Sequence, residues 1–298
     1  TVNAIAASGF SVPLTRGSYA GNILTFVGGG SAVFNIYNAA TNQYLTSVAA
    51  GLPTSGTVLA MNTGATAFPI SGTEQIMIVR GNGTGTQIFS QSTGAIIAGN
   101  ATSVTVNSVP LNLQFRTSVG VVKQAIYAQS NQLTIFDHGL LTFATATLTA
   151  AGGSGAQMFL IPSGAEAGNI LFIHGGGSAA TSIINRDTLT ATAGPPVGGA
   201  GACGNTVVVN AGAQLLPIPY GANAGKALLL VGGDTPTTCM YDPATNAFSV
   251  GPVTSTTGSP GYAISNGALA FRTNGGIYPT SFVILSGANK NVWGTYVP

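Results

Sequence analysis

The chain offers few side chains for acid–base chemistry: its 298 residues include six carboxylates and two histidines. The carboxylates are Glu74, Asp137, Glu166, Asp187, Asp234 and Asp242. Asp242 lies in a Tyr-Asp-Pro turn, where an aspartate accepts hydrogen bonds from nearby backbone, and Asp187 aligns with it. Glycoside hydrolysis requires two carboxyl groups at a defined separation, and the sequence indicates no such pair. We therefore predict no catalytic residue and no enzymatic activity.

The two cysteines have the types and spacing for a structural cross-link. Cys203 lies in a glycine-rich connection and Cys239 in an apolar strand. A disulfide between them closes a loop of about 36 residues and stabilises the fold by about 3–4 kcal/mol in the chain-entropy model. We predict this disulfide, with two buried free thiols as the alternative.

Three arginines follow a similar apolar segment at different points of the chain: Arg16, Arg116 and Arg272. If they share one register, they lie on one rim of the fold, where guanidinium groups bind acidic glycans or carboxylates through paired hydrogen bonds. The alternative is a structural role, in which each arginine satisfies loop carbonyls.

A repeated phrase provides the elements that position these residues. An apolar strand ending in glycine recurs at 23–30, 76–81, 170–177, 225–233 and 282–287, with a degraded copy at 125–129, and a second apolar landmark precedes each copy. The copies are about 45 to 60 residues apart, the spacing of four-stranded propeller blades.

The apolar runs are short and rich in β-branched or aromatic residues, and Gly, Pro, Asn and Ser clusters bound them, as in strands. No segment has the three-to-four-residue apolar period of an amphipathic helix. The sequence therefore predicts an all-β chain, a single β-propeller of about six four-stranded blades. The approximate blade bounds are 10–50, 57–108, 110–150, 155–196, 205–255 and 261–298 plus 1–8.

The repeat resembles the kelch family of β-propellers, in its form with paired glycines followed by Tyr-Asp-Pro-Ala-Thr. The match is close over 214–252 and 156–195, fair over 10–50 and 265–298, and weak over 65–140. Blade two departs from the pattern with Ser90-Gln91-Ser92-Thr93-Gly94, and blade three carries Phe136-Asp137-His138. The resemblance implies a propeller fold.

Some kelch-type propellers are copper-radical oxidases, whose site needs two histidines, two tyrosines and a cysteine cross-linked to one tyrosine. The histidines here are His138 and His174. His174 ends a glycine-flanked strand, where we expect it to line a central channel, and His138 lies in a turn after Asp137. We predict no metal and no cofactor, and an oxidase is a distant alternative.

The last repeat lacks an outer strand after residues 291–298. Residues 1–7 have the pattern of an outer strand, and we expect them to complete the sixth blade. Such closure is favoured because an unpaired strand edge would pair with other chains. The alternative is that a terminal strand pairs with a neighbouring subunit.

Charged residues make up only 5% of the chain, against about 25% in typical proteins. A net charge of +2 without a basic stripe argues against nucleic-acid binding. No run approaches the length of a transmembrane helix, and a start at Thr1 is consistent with removal of a signal peptide. A neutral polar exterior favours a secreted or cell-surface protein that packs against copies of itself.

The sequence thus favours a non-catalytic extracellular structural or interaction protein, which self-assembles or docks with another surface protein. The alternative is a carbohydrate-binding or adhesive module that uses the propeller rim, with Tyr19, Tyr220 and Tyr278 as stacking platforms. Asn82 and Asn100 begin matches to the N-glycosylation sequon.

Overall fold

The computed structural model describes residues 9–45, 59–107, 111–252, 263–272, 281–287 and 293–298. The chain forms two compact units, Thr1–Ala146 and Thr147–Pro298. Strands dominate both units, and a 3-10 turn at Gly17–Tyr19 is the helical segment found among the described residues.

The first unit contains three antiparallel sheets of four strands, each strand pairing with the next in sequence. The strands are β1 (Phe10–Pro13), β2 (Asn22–Phe26), β3 (Phe34–Asn38), β4 (Gln43–Leu45), β5 (Thr66–Pro69), β6 (Gln75–Val79), β7 (Thr86–Ser90), β8 (Ile96–Ala98), β9 (Asn112–Arg116), β10 (Val122–Gln129), β11 (Gln132–Asp137) and β12 (Thr142–Thr147), the last ending at the first residue of the second unit.

The second unit repeats this topology in two four-stranded sheets and a sheet with three described strands. The strands are β13 (Gln157–Leu160), β14 (Ile170–Ile173), β15 (Thr181–Ile184), β16 (Ala191–Ala193), β17 (Gln214–Pro217), β18 (Ala227–Leu230), β19 (Thr238–Asp242), β20 (Ala247–Val250), β21 (Leu269–Arg272), β22 (Phe282–Leu285) and β23 (Trp293–Tyr296).

These sheets are the blades of a β-propeller, and the predicted all-β, six-blade fold is confirmed. We number the blades one to six in chain order. The expected fourth strand of blade six, residues 1–8, lies outside the described residues. The single-domain prediction and its blade bounds stay predictions.

The apolar core of each unit lies between successive blades. Blade one packs on blade two around Leu24, Phe34 and Phe89, and blade four packs on blade five around Leu171 and Tyr241. In blades two, four and five the second strand is almost wholly buried because both of its faces meet neighbours, which is why its sequence is nearly all hydrophobic. Each such side chain stabilises the fold by about 1.5–3 kcal/mol.

The glycines that end these strands join one blade to the next through backbone atoms. At Gly175–Gly177 the φ angles are 65°, 65° and 80°. The Gly176 N–H donates to Ser154 O of its own blade at 2.7 Å, and the Gly177 N–H donates to Val209 O of the next at 2.9 Å. Equivalent backbone bridges pair Ser31 with Met61, Gly83 with Val106, Ser178 with Val209, and Thr235 with Ile264. The left-handed backbone, which glycine adopts most readily, thus places donors toward two blades at once.

Side-chain amides reinforce these junctions. The Gln157 Nε2 donates to Ala213 O at 2.9 Å, and the Gln214 Nε2 donates to Ala268 O at 3.2 Å. Both glutamines hold the same register on the first strand of their blade, opposite Ile173 and Leu230. Each therefore ties its first strand to the first strand of the following blade.

The turn after the third strand of a blade uses an Asx side chain, as expected for Asp242, whose Oδ1 accepts the Ala244 N–H at 2.9 Å. The expected equivalence of Asp187 is wrong. Asn185 takes that position in blade four, and its Oδ1 accepts the N–H groups of Asp187 and Thr188, each at 2.9 Å. The alignment slipped by two residues because Asn and Asp serve this turn equally well.

A disulfide joins Cys203 to Cys239 of β19, with Cα atoms 5.5 Å apart and a sequence separation of 36. Both residues are buried beside Val197, Val209 and Leu229 in the core between blades four and five. The bond therefore fastens the glycine-rich connection onto the third strand of blade five.

A matched pair of glycines tests whether close approach between blades limits the fold. Gly212 has φ +86° and a Cβ there would lie 1.9 Å from Ser265 O, whereas Gly225 has φ +84° with open space around it. We expect Gly225→Ala to lower the free energy of unfolding by about 1–2 kcal/mol, the cost of a left-handed backbone. We expect Gly212→Ala to lower it by about 3 kcal/mol or more, because the backbone of blade six must also move. Urea unfolding of both variants measures the difference, and equal losses would contradict it.

Candidate functional site

The predicted acidic residues are mostly occupied by structural contacts. Asp137 Oδ1 accepts the Gly139 and Leu140 N–H groups at 2.9 and 3.0 Å. Glu166 Oε2 accepts from Asn169 Nδ2 at 2.7 Å, and Asp242 lies 3.4 Å from Lys226 Nζ. Of the three other carboxylates, Asp187 lies 3.9 Å from Arg186 Nε, and Asp234 accepts a hydrogen bond from Ser265 Oγ. Glu74 lines a surface cleft. Apart from Glu74, these carboxylates therefore make structural contacts in turns and loops.

His174 does not line an accessible channel, as the sequence suggested, but is fully buried in blade four. Its Nδ1–H donates to Ala151 O at 3.2 Å, and its Nε2 accepts from Ser182 Oγ at 2.8 Å. Ser182 is also buried and lies 2.6 Å from Thr149 Oγ1. The serine–histidine pair resembles the contact of a nucleophile with its base. Neither side chain reaches solvent, so the pair has no access to a substrate. The hydrogen bonds instead join loop 149–151 to the end of β14 and to β15.

His138 lies in the turn after β11, as expected, and is 5% exposed. Its Nδ1 accepts the Ser71 N–H at 2.9 Å, so the ring ties blade three to loop 70–74 of blade two. The ring packs edge-on against Phe68 and Phe136, with centroids 5.9 and 5.1 Å away. Its buried Nε2 has no hydrogen-bond partner. Among the described residues, no cluster of three His, Cys, Asp or Glu side chains is arranged to hold a metal ion.

The first unit contains a cleft of about 410 Å³ where its three blades meet. Its walls come from the loop after β1, the end of β5 with its following loop, the residue after β7, and β9 with β10. The lining residues are Thr15, Arg16, Phe68, Pro69, Ile70, Ser71, Gly72, Thr73, Gln91, Asn112, Gln114 and Gln124. A second lobe is lined by Arg16, Gly72, Thr73, Glu74 and Gln75. We call the two together the inner cleft.

The polar wall of the inner cleft is held by a chain of amides. Gln124 Nε2 donates to Asn112 Oδ1 at 2.9 Å, and Asn112 Nδ2 donates to Thr66 Oγ1 at 2.7 Å. Gln124 is 3% exposed, whereas Asn112 and Gln114 project from alternate positions of β9 and are exposed. The amides of Asn112 and Gln124 are therefore held in place before any ligand arrives.

The three predicted rim arginines hold three different positions in their blades. Arg272 pairs with Phe282, and Gln114, opposite Gln124, holds that register in blade three, so Arg116 lies two residues beyond it. Pro13, opposite Ile23, holds the same register in blade one, and Arg16 lies three residues later. Arg116 Nη1 donates to Gly120 O at 3.2 Å, as in the structural alternative, and the Arg272 guanidinium stacks on Tyr220 at 4.7 Å. Arg16 lines the inner cleft.

The predicted stacking tyrosines differ in availability. Tyr19 is half-buried and packs against Phe89, with ring centroids 6.4 Å apart. Tyr220 is 50% exposed, but Arg272 lies over its ring. Tyr278 lies outside the described residues.

Sequence reasoning missed Gln91, Asn112, Gln114 and Gln124 as site residues. One signal existed for Gln91, since it lies in the segment of blade two that departs from the Tyr-Asp-Pro turn. The strand of Asn112 and Gln114 is also the most polar of the first strands, with the burial pattern exposed, half-buried, exposed, buried, exposed.

The buried histidines make stability depend on pH. Burial lowers the pKa of His138 and of His174 below 6.5, despite the nearby Asp137 carboxylate and the Ala151 carbonyl that favour protonation. Below pH 6.5 the unfolded chain binds protons at these histidines, whereas the folded rings stay neutral until the pH reaches their lowered pKa values. The histidines therefore do not reduce the free energy of unfolding above pH 6.5, and they reduce it increasingly as the pH falls from 6.5 toward the lowered pKa values.

Urea unfolding between pH 8 and 5 measures this dependence. We expect His138→Gln and His174→Gln each to reduce by up to one the number of protons bound on unfolding. A double variant whose unfolding free energy keeps the pH slope of the natural protein would contradict the assignment.

No family model and no curated protein matches the chain. It is similar to a structure described as a streptogramin B lyase, at 10% identity and a TM-score of 0.49, over 97% of this chain and 87% of that one. It is also similar to a structural genomics protein of unknown function from Bacteroides thetaiotaomicron, at 11% identity and a TM-score of 0.43, over 78% and 56% of the two chains. Among the described residues, no helix has the length and apolar character needed to cross a membrane.

Proposed function

We propose that the protein is a non-catalytic extracellular interaction protein of kelch-like type, which binds carbohydrate in the inner cleft. The observation that carries this proposal is the preformed amide wall of the cleft. Asn112, Gln114 and Gln124 line one side, and Thr15, Ser71 and Thr73 add hydroxyl groups.

Sugar hydroxyls both donate and accept hydrogen bonds, and a primary amide offers two N–H donors and a carbonyl acceptor. An amide-rich wall therefore complements a ligand that carries many hydroxyl groups. The hydrogen bonds from Gln124 to Asn112 and from Asn112 to Thr66 hold the amides in place, which lowers the entropy cost of binding. The volume of about 410 Å³ falls within the usual range of small-molecule sites.

A non-catalytic role is supported by the contacts of the reactive groups. The Ser182 hydroxyl is buried against His174, and Asp137 and Asp242 are engaged in turns. Both ring nitrogens of His174 have protein partners, which is unlike an open copper ligand.

An extracellular location is supported by the Cys203–Cys239 disulfide, because such bonds persist in oxidising compartments. The kelch assignment is supported by the glycine-ended second strand and the Asx turn after the third strand, which recur across several blades.

A glycan array followed by calorimetry tests carbohydrate binding. We expect the natural protein to bind at least one oligosaccharide, and Gln114→Trp to weaken that binding at least about tenfold, because the indole fills the cleft. Gln114 is exposed, so the thermal midpoint should change little.

Gln43→Trp is the matched control, since Gln43 is an exposed strand glutamine that does not line the inner cleft. It should bind as the natural protein does. An array with no bound glycan, or equal binding by all three proteins, would reject the cleft as a carbohydrate site.

The second candidate function is self-assembly, which one surface of blade six favours. Leu269, Phe271 and Leu285 are 52, 46 and 38% exposed. The strand pairing places Leu269 beside Leu285 and Phe271 beside Val283, so all four lie on one sheet face. Residues in the register of Phe271 are at most 6% exposed in blades one, two, four and five: Val12, Phe68, Phe159 and Leu216. An apolar face of this kind fits a second copy of the chain.

Light scattering after size-exclusion chromatography, over a range of protein concentrations, tests this second function. We expect the natural protein to associate as its concentration rises and Phe271→Ser to weaken association at least about tenfold. Val119→Ser is the control, because Val119 is 83% exposed in a loop of blade three. A monomer at every concentration would remove self-assembly as a function.

A further inference from the structure

The first lobe of the inner cleft has an unbalanced charge. Arg16 lines it, and the other described lining residues are neutral. Glu74 lies in the second lobe, which Arg16 also lines. An anionic group is therefore attracted to Arg16, which both lobes share, and repelled by Glu74 in the second lobe.

The backbone that carries Arg16 is fixed by a buried side chain. Gln91 is 1% exposed, and its Oε1 accepts the N–H groups of Thr15 and Arg16 at 2.9 and 3.1 Å. The Tyr19 N–H donates to Gln91 O at 3.2 Å. Gly17 has φ +66°, and a Cβ there would lie 2.6 Å from the Gln91 carbonyl carbon, so only glycine permits this close approach. Loop 15–19 is thereby held against blade two.

The Arg16 side chain itself is exposed. The ion pairs formed within the described ranges are Arg186 with Asp187 and Lys226 with Asp242, and neither involves Arg16. A fixed backbone with an exposed guanidinium suits a binding residue, because the planar group presents two parallel N–H donors to a carboxylate.

We infer that the inner cleft is specific for an acidic sugar, with Arg16 binding the carboxylate of a uronic acid residue. The inference rests on the proposed carbohydrate site and assigns its ligand class. The hydroxyl groups of the same sugar bind the amides of Asn112, Gln114 and Gln124. Arg16 is thus the specificity-determining residue, and the amides bind features that neutral and acidic sugars share.

Hexuronate oligosaccharides and their carboxyl-reduced counterparts test the assignment, because each pair differs only in the group that Arg16 would bind. Oligogalacturonates and oligoglucuronates are titrated by calorimetry at low salt. We expect the acidic form to bind at least about tenfold more tightly than the reduced form, a preference that salt weakens by screening.

Arg16→Gln should abolish this preference, so that the acidic and reduced forms bind with equal affinity. Arg16→Lys should retain only part of it, since an ammonium group lacks the paired donors. Arg186→Gln removes a half-buried arginine that does not line the cleft and should retain the full preference.

The outcomes separate the two proposals. Equal binding of acidic and reduced forms, or a preference unaffected by Arg16→Gln, overturns the role of Arg16 and leaves the carbohydrate site standing. Failure of every acidic and reduced oligosaccharide to bind overturns the site and its specificity together. Thermal midpoints of the Arg16 variants near that of the natural protein show that lost preference is not lost folding.

Discussion

The backbone hydrogen bonds at the glycine-ended strands are the interaction on which the other features depend. At Gly175–Gly177 consecutive N–H groups donate first to the turn of their own blade and then to the next blade. This arrangement requires three successive positive φ angles, which a side chain would strain. The junction sets the spacing of neighbouring blades. It therefore also determines which groups the first-strand side chains reach, such as the Ala213 carbonyl for Gln157 and the Ala268 carbonyl for Gln214.

The inner cleft follows from a change in this pattern in the first unit. At the register where Gln157 and Gln214 reach a carbonyl of the next blade, blade two has Thr66, and the bond is made by Asn112 of blade three. Asn112 in turn positions Gln124. The same contact that stabilises two blades in the second unit therefore orients the polar wall of a cleft in the first. In the second unit the earlier blade donates this hydrogen bond, whereas in the first unit Asn112 of the later blade donates it. Asn112 thereby becomes part of a candidate binding site.

The sequence was sufficient for the blades and insufficient for the cleft, for a physical reason. Strand and turn signals are local: Gly232-Gly233 and Tyr241-Asp242-Pro243 report their own backbone conformation. The cleft is assembled from three blades, and nothing in the spacing of Arg16, Gln91 and Asn112 shows that they converge. His174 was misplaced for the same reason, since its partners Ala151 and Ser182 lie on other segments. Arg16 was aligned with Arg116 and Arg272 because all three follow an apolar landmark, and only strand pairing reveals that they hold different positions.

The disulfide has a consequence for a protein that experiences mechanical force. Cys203 and Cys239 are 36 positions apart, and the segment between them contains β17 and β18, the first two strands of blade five. A pulling force along the chain passes through the sulfur atoms and bypasses that segment. Because an extended chain spans at most about 3.3–3.6 Å per residue, the bond withholds roughly 120 Å of contour length from the force while it remains oxidised. Blade five would then extend less than its neighbours under tension, and reduction of one covalent bond would release the stored length.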